Sequence, residues 1–362
     1  MSSLSEPVTL LQGALAIESL SGREQAVAAY LVDAMRRRGY DRAFVDEAGN
    51  AIGEIGAPDA EHVIVLLGHM DTVPGRIPVR VEGDRLYGRG SVDAKGPLCA
   101  FIEAAAQVQL SSGWKLVVIG AVEEEAATSK GARHVIPRYR PDACVIGEPS
   151  TWDRVTLGYK GRLLADFTAR QPVGHTAGPL ESVCEAAVAW WLGIQRFAEE
   201  FNRDRQGVFD RLLPSLRDLC SSSDGLCDRV DATVGLRLPL DISREELEQA
   251  IRAAAPTAPG LEVQLTFRGY EPAYRASKNT PLVRAFLAAI RDQGGRPGFK
   301  VKTGTSDMNV VGPAWRCPIL AYGPGDSSLD HTPEEHIEIS EYLRAIQVLA
   351  NALNRLVKGE EG

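Results

Sequence analysis

The sequence predicts an α/β protein: a mostly parallel-sheet domain interrupted by a smaller α+β module. Three observations carry this. Apolar runs at residues 63–67, 116–122 and 143–146 read as strands covered on both faces, the pattern of a parallel sheet. Helical stretches separate them, an alternation that builds such sheets. Between 158 and 272 the pattern changes to alternating strands and two helices, and from 273 the α/β pattern resumes. One domain therefore spans 1–157 and 273–362, and the second spans 158–272.

The elements follow in order. Ser21-Gly22-Arg23-Glu24 has the spacing of a capping box, and Val27, Leu31, Val32 and Met35 line one face of the helix it opens. Arg36, Arg37 and Arg38 suit that helix's negative C-terminal end. Residues 43–45 and 51–55 read as strands joined by a turn. The strand at 63–67 ends just before His69 and Asp71, and Asp93 follows in a glycine-punctuated loop before a helix at 98–108. The strand at 116–122 runs into Glu123, Glu124 and Glu125; a helix near 129–136 leads to the strand at 143–146, which ends in Gly147-Glu148-Pro149. In the module, 163–169, 232–238 and 261–267 read as strands, 181–200 as an amphipathic helix, and 221–224 as a loop. A second capping box, Ser243-Arg244-Glu245-Glu246, opens a helix over 243–254. A helix from 280, a strand at 318–322 and a helix over 340–357 close the chain.

A chain of 362 residues has room for two domains and a sizeable core. Its net charge of −8 argues against a nucleic-acid partner, which would want a basic surface. No apolar run approaches the ~18–20 residues needed to span a bilayer, and the N-terminus lacks the basic and apolar regions of a secretory signal. A cytoplasmic protein with no membrane partner is expected. Six cysteines without a C-x-x-C pair fit buried thiols in a reducing compartment; only Cys220 and Cys227 are close enough to suggest a local disulfide. Gly88-Arg89-Gly90 lacks the third glycine of a dinucleotide fingerprint, and no P-loop is present.

The chemistry concentrates at His69, Asp71, Asp93, Glu123 to Glu125, Glu148 and His331, each beside a glycine or at a strand end. Two imidazoles and several carboxylates, with no thiol among them, suit zinc, or cobalt and manganese. A carboxylate shared between two ions holds them ~3.5–4 Å apart, as in two-metal hydrolases. A spare carboxylate can move a proton from water to a leaving amine. His62, His134 and His336 lack such surroundings and read as surface or packing residues.

These motifs, HMDTVP, GRGSVDAKG, EEE, GEPS, GHTAGP, GTSDMN and GPGDSSLDHTPEEH, resemble the co-catalytic zinc aminoacylase/carboxypeptidase family over nearly the whole chain. That family includes succinyl-diaminopimelate desuccinylase and acetylornithine deacetylase. LGYKGRLL and KTGTSDMNVV are most similar to its branch acting on lysine or ornithine attached to a small acidic, LysW-type amino-group carrier protein. The resemblance implies a zinc-hydrolase catalytic domain with an inserted ferredoxin-like lid, a homodimer formed through the lids, and two zinc ions per subunit, with cobalt as a substitute. It implies that His69, Asp93 and Glu148 hold one ion, and that Asp93, a glutamate of the triplet and His331 hold the other. Asp71 would orient His69. The base and ligand are then Glu124 and Glu125, or, with a one-residue shift, Glu123 and Glu124. His175 would steady the oxyanion in the partner subunit's site, and Arg237 would grip the substrate carboxylate. Lys302, Gly304, Thr305 and Asp307 match the substrate loop, with Asp307 able to attract an amine. An acidic carrier would need a basic patch, for which Arg133, Arg138, Arg140, Arg154, Lys160 and Arg162 are the candidates.

Overall fold

The computed structural model describes residues 5–175 and 181–359. They divide into two compact units, one of residues 5–158, 275–301 and 306–359, the other of 159–175 and 181–274 with 302–305.

The first unit is built on a large mixed sheet. In order across it run Arg42–Val45, Ala51–Ile55, Trp114–Ala121, His62–His69, Ala143–Gly147, Ile319–Ala321 and Arg154–Tyr159. The four strands from Trp114–Ala121 to Ile319–Ala321 are mutually parallel, and the flanking pairs are antiparallel. Both faces are covered. Ile64, Leu66, Leu116, Val118, Val145 and Leu320 join a core with the helices Lys95–Ala105, Pro281–Asp292 and Ile339–Lys358. The alternate residues Val65, Leu67, Val117 and Ile119 are buried as well. This is why the runs read as continuously apolar rather than alternating.

Register then places the chemistry. Gly68 lies opposite Gly120 on one side and Gly147 on the other, so three parallel strands end in step. His69, the Glu123–Glu125 turn and Glu148 therefore emerge at one edge, the carboxyl edge where open α/β sheets gather their sites. A small antiparallel sheet of Arg80–Glu82, Arg85–Tyr87 and His336–Glu338 brings the 331–338 segment beside the Asp93 loop.

The second unit is a four-stranded antiparallel sheet in the order Leu213–Ser223, Cys227–Leu238, Gly161–Pro172, Glu262–Glu271, with helices Val183–Phe201 and Arg244–Ala253. Strand–helix–strand–strand–helix–strand with this order is the ferredoxin-like split β-α-β arrangement. Its core centres on buried Trp190, which stacks on Phe167 and donates its indole N–H to the Ile251 carbonyl. One expectation fails here. The expected loop at 221–224 is largely the end of the Leu213–Ser223 strand, an edge strand whose exposed polar residues hide it from a hydrophobicity pattern. Cys220 and Cys227 are both free thiols.

The first expected capping box also fails. The helix Gln25–Arg37 starts without a side-chain cap, and Ser21 and Glu24 are engaged elsewhere. The second box is half formed, Ser243 Oγ accepting from the Glu246 N–H. A full box at Ser182 and Glu185, absent from the expectations, opens Val183–Phe201.

Candidate metal centre

Asp93 is the centre of the site. Its Oδ1 lies 3.2 Å from His69 Nε2 and its Oδ2 3.0 Å from His331 Nε2, so one carboxylate faces two imidazoles. Glu148 Oε1 lies 3.8 Å from His69 Nε2, and Glu125 Oε1 lies 2.9 Å from His331 Nε2. His69, Asp93 and Glu148 thus offer one compact donor set, and Asp93, Glu125 and His331 a second. Both sets are nitrogen and oxygen only, the chemistry that suits a borderline divalent cation. The residues present fit a pair of such ions sharing Asp93.

Glu124 and Glu123 part company here. Glu124 is largely enclosed, its side chain 12% exposed, with Oε2 3.9 Å from His69 Nε2, and belongs to neither donor set. Glu123 adopts a positive φ of 57° that turns its side chain outward, to Thr128 Oγ1 at 2.7 Å and Lys130 Nζ at 3.5 Å. His331 likewise has a φ of 62°. Such left-handed conformations are costly for non-glycine residues and concentrate at functional sites.

The turn carrying the glutamates is held by side chains from three distant segments. Val122 N–H donates to Asn50 Oδ1 at 3.1 Å, Glu123 N–H to Glu24 Oε1 at 3.1 Å, and Glu124 and Glu125 N–H to the two Asp71 oxygens at 3.1 and 3.0 Å. Four successive amides at a strand end, which no neighbouring strand pairs, are thereby satisfied. Asp71 also accepts from Ser21 Oγ at 2.7 Å. Here lies the reason the capping box does not form: Ser21 and Glu24 serve the glutamate turn. Gly131 completes the support, because a Cβ there would sit 2.4 Å from Asn50 Oδ1 and 2.5 Å from Val122 N. The His69 ring is set by Nδ1, 3.1 Å from the Asp71 carbonyl oxygen and 3.4 Å from its Oδ1.

The electrostatics follow from crowding these groups. Burial opposes the charge of Asp93, yet hydrogen bonds to His331 and His69 hold its carboxyl well below the usual range. Burial pushes Glu124 well above it; His69 opposes this, while the charges of Glu148, Asp307 and Glu125 add to the rise. His331, beside Asp93 and Glu125, is raised to about 10. A carboxyl beside a cation site but outside both donor sets is placed for general acid–base catalysis.

Of the other expected residues, Asp307 lies near enough to Glu124 for its charge to act there. Asp307 opens the helix Asp307–Trp315 in the first unit and is buried. In the second unit Arg237 Nη1 donates to Thr305 Oγ1 at 3.0 Å, while Lys302 ends its strand and Gly304 is open around its α-carbon. His175 is exposed just past the strand Gly161–Pro172; residues 176–180, the rest of its motif, lie outside the described residues. The expected basic patch loses Lys160, which is buried and donates to the carbonyls of Val208, Phe209 and Arg211. Arg162 donates to the Gly269 carbonyl and Arg138 pairs with Glu47. His62 packs at a tilt against Trp114, His336 likewise against Tyr87, and His134 meets Glu47, as surface and packing histidines do.

A model of peptidase family M20/M25/M40 matches residues 65–355. The LysW-lysine hydrolase of Deinococcus radiodurans is 52% identical over 356 residues, 97% of each chain. The LysW-lysine/LysW-ornithine hydrolase of Sulfurisphaera tokodaii is 32% identical over 295 residues, 81% of each chain. Among solved structures, the M20 family metallo-carboxypeptidase Sso-CP2 of Sulfolobus solfataricus superposes with a TM-score of 0.76 at 17% identity, over 97% of this chain and 99% of its own. The dipeptidase Dug1p of Saccharomyces cerevisiae gives 0.77 at 13% identity, over 98% and 96%. These two share the fold.

Proposed function

The chain belongs to peptidase family M20/M25/M40, and from that membership we propose that it is a metal-dependent amide hydrolase releasing lysine or ornithine from an amino-group carrier protein. The bond cleaved joins the carrier's C-terminal glutamate γ-carboxyl to the α-amino group of the amino acid. The observation that carries the chemistry is Asp93, with one oxygen toward each of two histidines and a glutamate completing each set. The substrate rests on the 52% identity to the Deinococcus LysW-lysine hydrolase.

His69, Asp93 and Glu148 would hold one zinc ion, and Asp93, Glu125 and His331 the other, with cobalt able to replace zinc. Such ions polarise the scissile carbonyl and ease deprotonation of the attacking water. The protein's own groups do the rest. Glu124 takes the proton from water and delivers it to the departing amine, a role its burial and its place outside both donor sets support. Asp71 fixes the ring of His69, leaving Nε2 for the ion. Arg237 offers a planar fork to the substrate carboxylate, with Thr305 fixing its orientation. Lys302, Gly304 and Asp307 border the amino acid, Asp307 countering the side-chain amine. His175 steadies the developing oxyanion across a homodimer built through the inserted unit, whose strand Leu213–Ser223 leaves an open, exposed sheet edge.

The test is release of amino acid from carrier-linked lysine, carrier-linked ornithine, N-acetyl-lysine and N-acetylornithine, each with zinc or chelator. Chelator-sensitive release from the carrier conjugates, far above the acetyl compounds, is the expected result. Preference for the acetyl compounds would retain the hydrolase and remove the carrier.

A further inference from the structure

Glu335 belongs to neither donor set, yet it is fully buried. Its Oε1 accepts from three amides of the Asp93 loop: Gly90 at 3.0 Å, Val92 at 2.9 Å and Asp93 itself at 3.1 Å. Its Oε2 accepts from Arg89 Nη1 at 2.7 Å, and the same guanidinium reaches the Thr332 carbonyl at 3.1 Å. Local pairing delivers it there. The antiparallel register sets His336 opposite Tyr87 and Ile337 opposite Leu86, so Glu335 falls beside Gly88 at the start of that loop. Gly90, at a φ of 88°, turns its N–H inward.

We propose that Glu335 is a positioning residue that fixes the bridging carboxylate, holding Asp93 at a set distance from His331 before any ion arrives. The inference rests on the metal reading of the Asp93 site. Asp93 and His331 come from segments far apart in sequence and must meet one ion together. His331 is half exposed and adopts a left-handed backbone conformation. Glu335, four residues further on, ties that loop to the amide of Asp93 directly and through Arg89 to Thr332. A carboxylate suits this work. With three N–H groups on one oxygen and a guanidinium on the other, its charge is fully solvated by fixed donors. It costs the cation site nothing as a competing ligand, since both oxygens are spent. A glutamine would have one acceptor oxygen and would have to turn its NH2 onto Arg89 or onto the three amides.

The test uses the full chain, stripped of metal and titrated with zinc by calorimetry well below its melting temperature. Glu335→Gln, verified as folded by near-UV circular dichroism, is expected to bind zinc at least ~10-fold more weakly, the scale of outer-shell substitutions. A purely structural glutamate would lower the melting temperature and leave the affinity of the folded protein unchanged. Zinc bound equally by folded Glu335→Gln and the unsubstituted chain would overturn this inference alone. Absence of zinc binding by the unsubstituted chain would overturn the metal reading and this inference with it. A second measurement needs no variant: hydrogen exchange of residues 90–93 in the metal-stripped protein. Slow exchange there is expected; exchange as fast as in exposed loops would show that the clamp does not exist without the ion, and would end the proposal.

Discussion

At the scale of single residues, the site separates carboxylates by what their oxygens already hold. Asp93 spreads its two oxygens over two imidazoles, Asp71 gives both of its own to amides, and Glu124 gives none of its own to either histidine at bonding distance. Glu124→Gln is therefore expected to cut kcat by about 10²–10⁴-fold, the range of general acid–base catalysis, with zinc content by metal analysis unchanged. Loss of zinc in that variant would move Glu124 among the ligands. Asp93→Asn removes charge from both donor sets, so it is expected to lose both ions, whereas His331→Ala should lose one. Metal stoichiometry on the two variants distinguishes these outcomes.

Between residues and the whole molecule stand the turns that carry the ligands. The Val122–Glu125 amides lean on Asn50, Glu24 and Asp71, and Asp71 leans on Ser21. Leaving one buried amide unsatisfied costs about 1–3 kcal/mol. Glu24→Ala is thus expected to lower stability to urea by that amount and to reduce kcat, although Glu24 touches no donor of either set. Unchanged kcat with the stability loss would show that the turn holds its shape without Glu24. This is also where the sequence was hardest to read. The strands that end in His69, Glu123 and Glu148 were legible because continuous apolar runs are visible in one dimension. Ser21 and Glu24 have capping-box spacing, but their partners lie at 71 and 123, and no local rule distinguishes the two uses. Glu335 lay unnoticed within DHTPEEH beside His331. The edge strand Leu213–Ser223 escaped because exposure on both faces erases the period-two pattern.

For the molecule as a whole, protons and metal compete for the same groups. In the metal-free protein, Asp93 and Glu125 raise His331 to about 10, above the ~6.5 of an unfolded chain. The folded state then binds more protons than the unfolded one between these values, so stability falls as pH rises through that window. The contribution is fully present below ~6.5 and lost through about pH 10. Urea melts of stripped protein across that range are expected to show the decline, and zinc should flatten it by expelling the proton. Zinc uptake should release protons into buffer below pH 10, a calorimetric heat that scales with buffer ionisation. Among the described residues no helix is long and apolar enough to cross a membrane.

The amide supports of the two acidic turns have a consequence for divergence. Each turn is braced by oxygens from elsewhere in the chain: residues 21–71 for one, Glu335 for the other. Reshaping either would need coordinated change at several separate positions, and a single substitution mostly breaks it. The chemistry is in this sense frozen. On the proposed function, the room for novelty lies outside these two turns, at the Lys302–Thr305 stretch and at the exposed His175. A laboratory search for variants that exchange lysine for ornithine should concentrate its mutations there and leave the braced turns untouched. A library confined to 90–93 and 122–125 is expected to yield inactive proteins rather than altered preference.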